Sequence, residues 1–164
     1  MICTEIQNAQ ISDRYAIAYL DQCAKAEAGR VQCSSNFIDP VFESSWEERF
    51  DARTSSRGHR QIIVAKSCGI VIGYANFSYS NTQHYFIESI GVANNYRNLG
   101  IGQALLQTIV DEVLPPQMRV TVDVPEYFSD SVAFFKRAGF EPADRRARTS
   151  TRNTTRLVLD LSSR

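Results

Sequence analysis

Apolar residues recur along this chain with two periods, and the change from one to the other outlines its elements. After a poorly patterned first strand over 1–7, Ile17, Leu20 and Ala24 fall on one side of a helix. Ala16, Ala18 and Ala28 favour that helix, Ser12 or Asp13 can cap it, and Gly29 ends it. A second helix is predicted over 41–52, with Phe42, Trp46, Arg49 and Phe50 on one side. Beyond the loop 54–58 the period drops to two. Gln61–Ala65 and Ile70–Ser78 read as strands joined by a Cys68-Gly69 turn, with Gly73 a candidate bulge, and residues 80–82 lead into a third strand, Tyr85–Val92. Connections this short imply an antiparallel meander.

The helical period returns at Ile101–Leu114. There Ile101, Leu105, Ile109 and Val113, flanked by Leu106, Val110 and Leu114, form a wide apolar stripe that Pro115 and Pro116 stop. Met118–Val124 alternates as a strand, and the helical crossover sets it parallel to Tyr85–Val92. A helix over Ser129–Ala138, a strand opening at Phe140 and a last strand at Thr154–Leu161 complete the order. This is an α+β chain with a mixed, mostly antiparallel sheet flanked by helices and a β-α-β core. Its 164 residues are the size of one domain, 1–164.

Composition narrows the function. Hydrophobic residues make up 43%, enough for a core, and 18 Lys+Arg balance 18 Asp+Glu. A net charge of zero argues against a nucleic-acid-binding or membrane surface. The cysteines at 3, 23, 33 and 68 make no Cys-x-x-Cys pair, and His59 and His84 are the only histidines, which argues against zinc. Free thiols in a reducing cytosol are expected, with paired disulfides as the alternative. No basic segment followed by an apolar run opens the chain, and no apolar stretch approaches the ~20 residues of a membrane span, so a soluble cytoplasmic protein is expected. Arg145, Arg146, Arg148, Arg152 and Arg156 read as a solvated hairpin, with contact to an acidic partner as the rival reading.

The chemistry gathers between the third strand and the following helix, at Arg97-Asn98-Leu99-Gly100-Ile101-Gly102. Glycines at a helix start expose backbone N–H groups that lack internal acceptors, beside the positive end of the helix dipole. Such a turn can seat a pyrophosphate, or it can be a softened turn with no ligand. Gly100-x-Gly102 followed by Asp123 also matches part of a dinucleotide fingerprint. Against that, Leu105 replaces the third glycine, the loop from Val92 is long, and the meander lacks the helices that such a fold needs.

Arg97-x-x-Gly100-x-Gly102, after a strand ending at Val92 and Tyr96, resembles the acetyl-CoA motif of the GNAT N-acetyltransferases. The run from Ser131 to Phe140, with Lys136 and Gly139-Phe140 at its end, is similar to that family's helix ending in Lys-x-Gly-Phe, and the element order agrees from Ile62 to Leu161. The resemblance implies transfer of an acetyl group from acetyl-CoA to a primary amine by direct attack. It implies that Arg97, Asn98, Leu99, Gly100, Ile101 and Gly102 hold the pyrophosphate and that the backbone of Ile90, Gly91 and Val92 pairs with the pantetheine arm. Lys136 or Arg137 would reach the nucleotide's phosphates, unless both are plain surface charges. Gly91 inside a strand fits close approach of another chain, or else a bulge.

Glu88 is the candidate base, as the single acidic residue in an apolar strand and at the place where polyamine-type relatives carry glutamate. Strict alternation puts it on one face with Phe86, Ile90 and Val92; an ion pair with an arginine is the structural alternative. The chain departs from the family where an acid is expected. Phe135 stands at the usual tyrosine and Phe128 at the frequent asparagine, which leaves Tyr127, Ser129 or water. Phe42, Trp46, Tyr74, Phe77 and Tyr79, with Asp39 or Glu43, could line an acceptor pocket, although aromatics at such spacing are more often core. A small amine or amine-bearing acceptor is implied, with homodimerisation through the C-terminal strands or second helix as an option. A CoA-binding sensor without catalysis and a nicotinamide-dependent oxidoreductase are the competing classes.

Overall fold

The computed structural model describes residues 4–27, 59–80, 84–113, 118–125, 128–143 and 154–161. The predicted second helix, Asp39, Phe42, Glu43, Trp46, Tyr127, Cys3, Cys33 and the arginines 145–152 lie outside them. Among the described residues the strands are β1 (Glu5–Asn8), β2 (His59–Ser67), β3 (Ile70–Ser80), β4 (His84–Val92), β5 (Arg119–Pro125), β6 (Glu141–Pro142) and β7 (Thr154–Asp160). Helix α1 covers Arg14–Glu27, α2 covers Ile101–Thr108 and continues as a π turn over Ile109–Val113, and α3 covers Ser129–Arg137. The sheet order is β1-β2-β3-β4-β5-β7-β6. Every pairing is antiparallel except β4 with β5. The meander and the parallel crossover are therefore as the pattern predicts, and the dinucleotide topology is excluded.

Residue chemistry explains the local choices. Cys68 and Gly69 both hold positive φ, 50° and 77°, the backbone that a two-residue hairpin needs to match strand twist. The bulge expected at Gly73 falls one residue earlier. Ala65 pairs with Gly73 and Lys66 with Val71, so Ile72 is the extra residue. Gly73 instead lets α2 approach, since a Cβ there would meet Ile101 Cγ2 at 3.2 Å and Leu105 Cδ1 at 3.3 Å.

Two apolar layers sandwich the sheet. On one side Ile17 and Leu20 of α1 pack on Ile62, Val64 and Tyr74. On the other, Ile101, Leu105, Leu106 and Ile109 of α2 and Phe135 of α3 pack on Ile63, Ala75, Phe77, Ile87, Val120 and Leu157. The buried pair Lys66 Nζ–Asp13 Oδ1, at 2.8 Å, ties the start of α1 to β2. Asp13 Oδ2 also accepts the Gln10 N–H at 2.9 Å, so Gln10 is the cap of the 3₁₀ turn Ile11–Asp13 and Asp13, rather than being the cap itself, is the third residue that reaches back to it.

Tyr74 and Phe77, candidate acceptor-pocket residues by sequence, are core. Phe77 is fully buried, and the Tyr74 hydroxyl donates to Asp21 Oδ1 at 2.7 Å, which ties the ring to α1. The ring lies over Gly91 on the neighbouring strand, where a Cβ would come within 2.6 Å of Tyr74 Cε1. Gly91 pairs in register with Tyr74, so it is not a bulge, and the aromatic ring that covers it is itself a reason for glycine there. Gly91→Ala should destabilise the fold by about 1–3 kcal/mol, since it forces Tyr74 off its partner. Urea unfolding measures this, and an unchanged midpoint would show that the contact is slack.

Candidate active site

The site begins where two strands part. Pairing between β4 and β5 runs from His84↔Arg119 to Ile87↔Val122. Among the described residues it goes no further. Residues 88–92 keep β3 on one side only, while Asp123–Pro125 pair with β7. A gap therefore opens at the carboxyl ends of two parallel strands, a common place for ligands in such sheets.

The cause of the parting is local. Asn76 pairs with Ser89 and Phe77 with Ile87, which leaves Glu88 as the extra residue of a β-bulge. The bulge also corrects the alternation read from the sequence. Ile90 and Val92 fall on the α2 side with Tyr85 and Ile87, and Phe86 and Glu88 do not share that face. One inserted residue exchanges the faces of all that follow. Glu88 is half-buried and accepts a hydrogen bond from Asn76 Nδ2 at 3.3 Å.

The glycine turn stands at the same end. Asn94–Tyr96 makes one 3₁₀ turn, after which Asn98 (φ 60°) and Gly100 (φ 80°) adopt left-handed backbone. Asparagine tolerates this region and glycine is free in it. Strain of this kind costs about 1–3 kcal/mol per residue where it is not relieved. Burial of four α2 side chains, Ile101, Leu105, Leu106 and Ile109, supplies roughly 1.5–3 kcal/mol each and outweighs it. Ile101 is thus an anchor whose side chain is committed to the core. Asn98, Leu99 and Gly100 are exposed, Leu99 at 54%. Gly100 is the N-cap of α2, with no side-chain cap and no acidic residue in the first turn, so the positive end of the helix is open. A Cβ on Gly102 would sit 3.5 Å from Phe134 Cε2, which puts α3 beside the turn.

Arg97 has two partners among the described residues. Its Nε donates to the Val92 carbonyl at 3.1 Å and its Nη1 to Glu27 Oε2 at 2.9 Å, so it clamps the end of β4 to the end of α1. The Arg97 guanidinium, chiefly by its hydrogen bond, holds the Glu27 carboxyl below the ordinary glutamate range against a smaller opposing effect of burial. A depressed carboxyl contributes stability above the unfolded-state pKa, and that stability is lost as pH falls through the folded value. For so exposed a pair the amount is about 0.2–1 kcal/mol. Glu27→Gln should therefore lower stability slightly at neutral pH and not at strongly acidic pH. Thermal melts across acidic pH check this, and parallel curves would refute it.

Lys136 and Arg137 are exposed in the last turn of α3. Lys136 lies about 200° around the helix from Phe134, away from the side that meets the turn, whereas Arg137 is within about 60° of it. Phe135 is 3% exposed and packs edge-on against Phe134 and Phe140, with centroids 5.1 and 5.2 Å away. The position of the family's tyrosine is a core position here. Asp123, the acidic residue of the partial dinucleotide fingerprint, is held by Arg156 through two 2.7 Å hydrogen bonds across β5 and β7. That also removes Arg156 from the solvated hairpin. Sequence reasoning missed Glu27 and Asn76. Glu27 meets Arg97 across 70 positions with no local signal, while Asn76 is visible as a polar residue inside an apolar strand.

The sequence pattern of the acetyltransferase (GNAT) family matches residues 30–140. A comparison with curated proteins gave no match. Among solved structures, a GNAT-family acetyltransferase from Staphylococcus aureus Mu50 superposes with a TM-score of 0.72 at 14% identity, over 97% of this chain and 99% of that one. The ribosomal-protein-alanine N-acetyltransferase of Brucella melitensis gives 0.69 at 20% identity, over 96% and 99%. Salmonella typhimurium yncA, a putative acetyltransferase solved with acetyl-CoA, gives 0.70 at 18%, over 97% and 94%. At such identities the structures establish the fold. The family pattern covers more than half of the sequence and takes in the bulged strand, the glycine turn and the aromatic helix, and on that ground the chain belongs to the acetyltransferase (GNAT) family.

Proposed function

We propose that this chain, as one N-acetyltransferase domain of the cytoplasm, moves the acetyl group of acetyl-CoA onto an amine within a ternary complex. The observation that carries the reading is the uncapped, glycine-led start of α2 at the mouth of the gap between β4 and β5. In it the N–H groups of Gly100, Ile101 and Gly102, with Asn98 and Leu99 beside them, receive the pyrophosphate. Arg97 shapes the turn through Val92 and Glu27 and adds its charge at the rim. The edge of Ile90, Gly91 and Val92 that faces away from β3 pairs with the pantetheine arm as an added strand, beside the Val92 carbonyl that Arg97 holds. Lys136 and Arg137 supply charge for the nucleotide end, with Arg137 the better directed.

The amine nitrogen attacks the thioester carbonyl, a C–N bond forms, the C–S bond breaks and CoA leaves as thiolate. Glu88 takes the amine proton through a water. A thiol pKa of about 8.5 lets the thiolate leave and take its proton from solvent, so the loss of tyrosine at Phe135 is tolerable. Phe135 also favours a second reading, a CoA sensor without turnover. Calorimetric titration with acetyl-CoA, with NAD as control, tests the donor site. Release of free CoA thiol over spermidine, free amino acids, an aminoglycoside and an N-terminal-alanine peptide separates enzyme from sensor. Absence of acetyl-CoA binding would sink both.

A further inference from the structure

Asn76 sits in the middle of β3, 4% exposed, and its strand neighbours are Ile62 of β2 and Ser89 of β4. It shares the α1 side of the sheet with Tyr74, two residues back. Its orientation is set by chemistry. Glu88 offers only acceptor oxygens when ionised, so the amide must present Nδ2 to it, as observed. Oδ1, the other arm of the same amide, has no hydrogen-bond partner among the described residues. A buried acceptor left without a donor lowers stability, and buried polar groups in folded proteins are nearly always paired. Leucine, of similar shape, would avoid the penalty. The orphan oxygen lies on the amide that touches the Glu88 carboxylate.

We propose that Asn76 is a positioning residue for acetyl transfer: Nδ2 orients the Glu88 carboxylate, and Oδ1 holds the water that carries the amine's proton to it. The proposal rests on the reading of Glu88 as base. The water donates one hydrogen to Asn76 Oδ1 and the other to Glu88, and its lone pair faces the amine. When the amine attacks, its proton passes to the water, and the water's proton on the Glu88 side passes to the carboxylate. The water is regenerated and Glu88 ends protonated.

The test uses the full chain with Asn76→Leu, Asn76→Thr and Glu88→Gln, read by thermal melting, acetyl-CoA titration and thiol release with spermidine and an N-terminal-alanine peptide. Asn76→Leu should melt at or above the parent temperature, bind acetyl-CoA within about twofold and lose about tenfold or more in kcat. Asn76→Thr, whose hydroxyl both donates and accepts, should regain part of that loss. A melting temperature more than about 5 °C below the parent would make Asn76 a structural residue and overturn the proposal, whether or not either amine turns over. Retention of kcat within about twofold by Asn76→Leu, while Glu88→Gln is impaired, would overturn it and leave the base standing. Unchanged turnover in Glu88→Gln would remove the base and the proposal with it.

Discussion

Glu88→Gln is expected to lower kcat by about 10²–10⁴-fold while acetyl-CoA affinity stays within about twofold, the signature of a lost general base. The split follows from where the residue sits. Glu88 is the bulge residue of β4, at the point where β4 leaves β5, whereas the turn proposed for the pyrophosphate begins at Arg97. Glutamine has the same shape, and its side-chain oxygen can still accept from Asn76, so neither bulge nor core need move. What it lacks is the capacity to take a proton. Steady-state thiol release beside calorimetry makes the measurement. A kcat within about twofold of the parent would remove Glu88 from the mechanism.

The second large effect belongs to Gly100. Gly100→Trp should weaken acetyl-CoA binding by about a hundredfold or more and leave the chain folded. A Cβ at Gly100 meets nothing within 4 Å, so an indole has room, but the room is that over the first turn of α2. Left-handed backbone costs a non-glycine residue about 1–2 kcal/mol, well below what the buried face of α2 supplies. Gly102→Ala is the control. Its Cβ would rest at an ordinary 3.5 Å from Phe134, and alanine favours helix by about 1 kcal/mol, so both fold and binding should persist. Normal acetyl-CoA binding by Gly100→Trp would move the phosphates elsewhere.

Much of the architecture is legible in short windows. The alternation of β2, β3 and β5, the stripe on α2 and the Cys68-Gly69 hairpin each express a periodicity or a backbone preference that neighbouring residues set among themselves. The Arg97–Gly102 turn belongs to the same class, since glycine at a helix start has a local meaning that survives any context. Gly91 does not. Its reason is the Tyr74 ring on the next strand, and nothing adjacent to it in sequence announces that ring.

By itself, then, the sequence determined the element order, the mixed sheet, the glycine-led helix start and the presence of one carboxylate in an apolar strand. Tertiary structure alone decided that this carboxylate is the bulge residue, which turns Ile90 and Val92 toward α2. It also decided that Arg97 is engaged by Val92 and Glu27, that Asp123 is occupied by Arg156, and that Asn76 lies beneath Glu88 with an oxygen to spare. The physical reason is range. Periodicity and turn preference are properties of residues a few positions apart, whereas a bulge, an ion pair and an orphaned acceptor depend on which strands become neighbours and in what register.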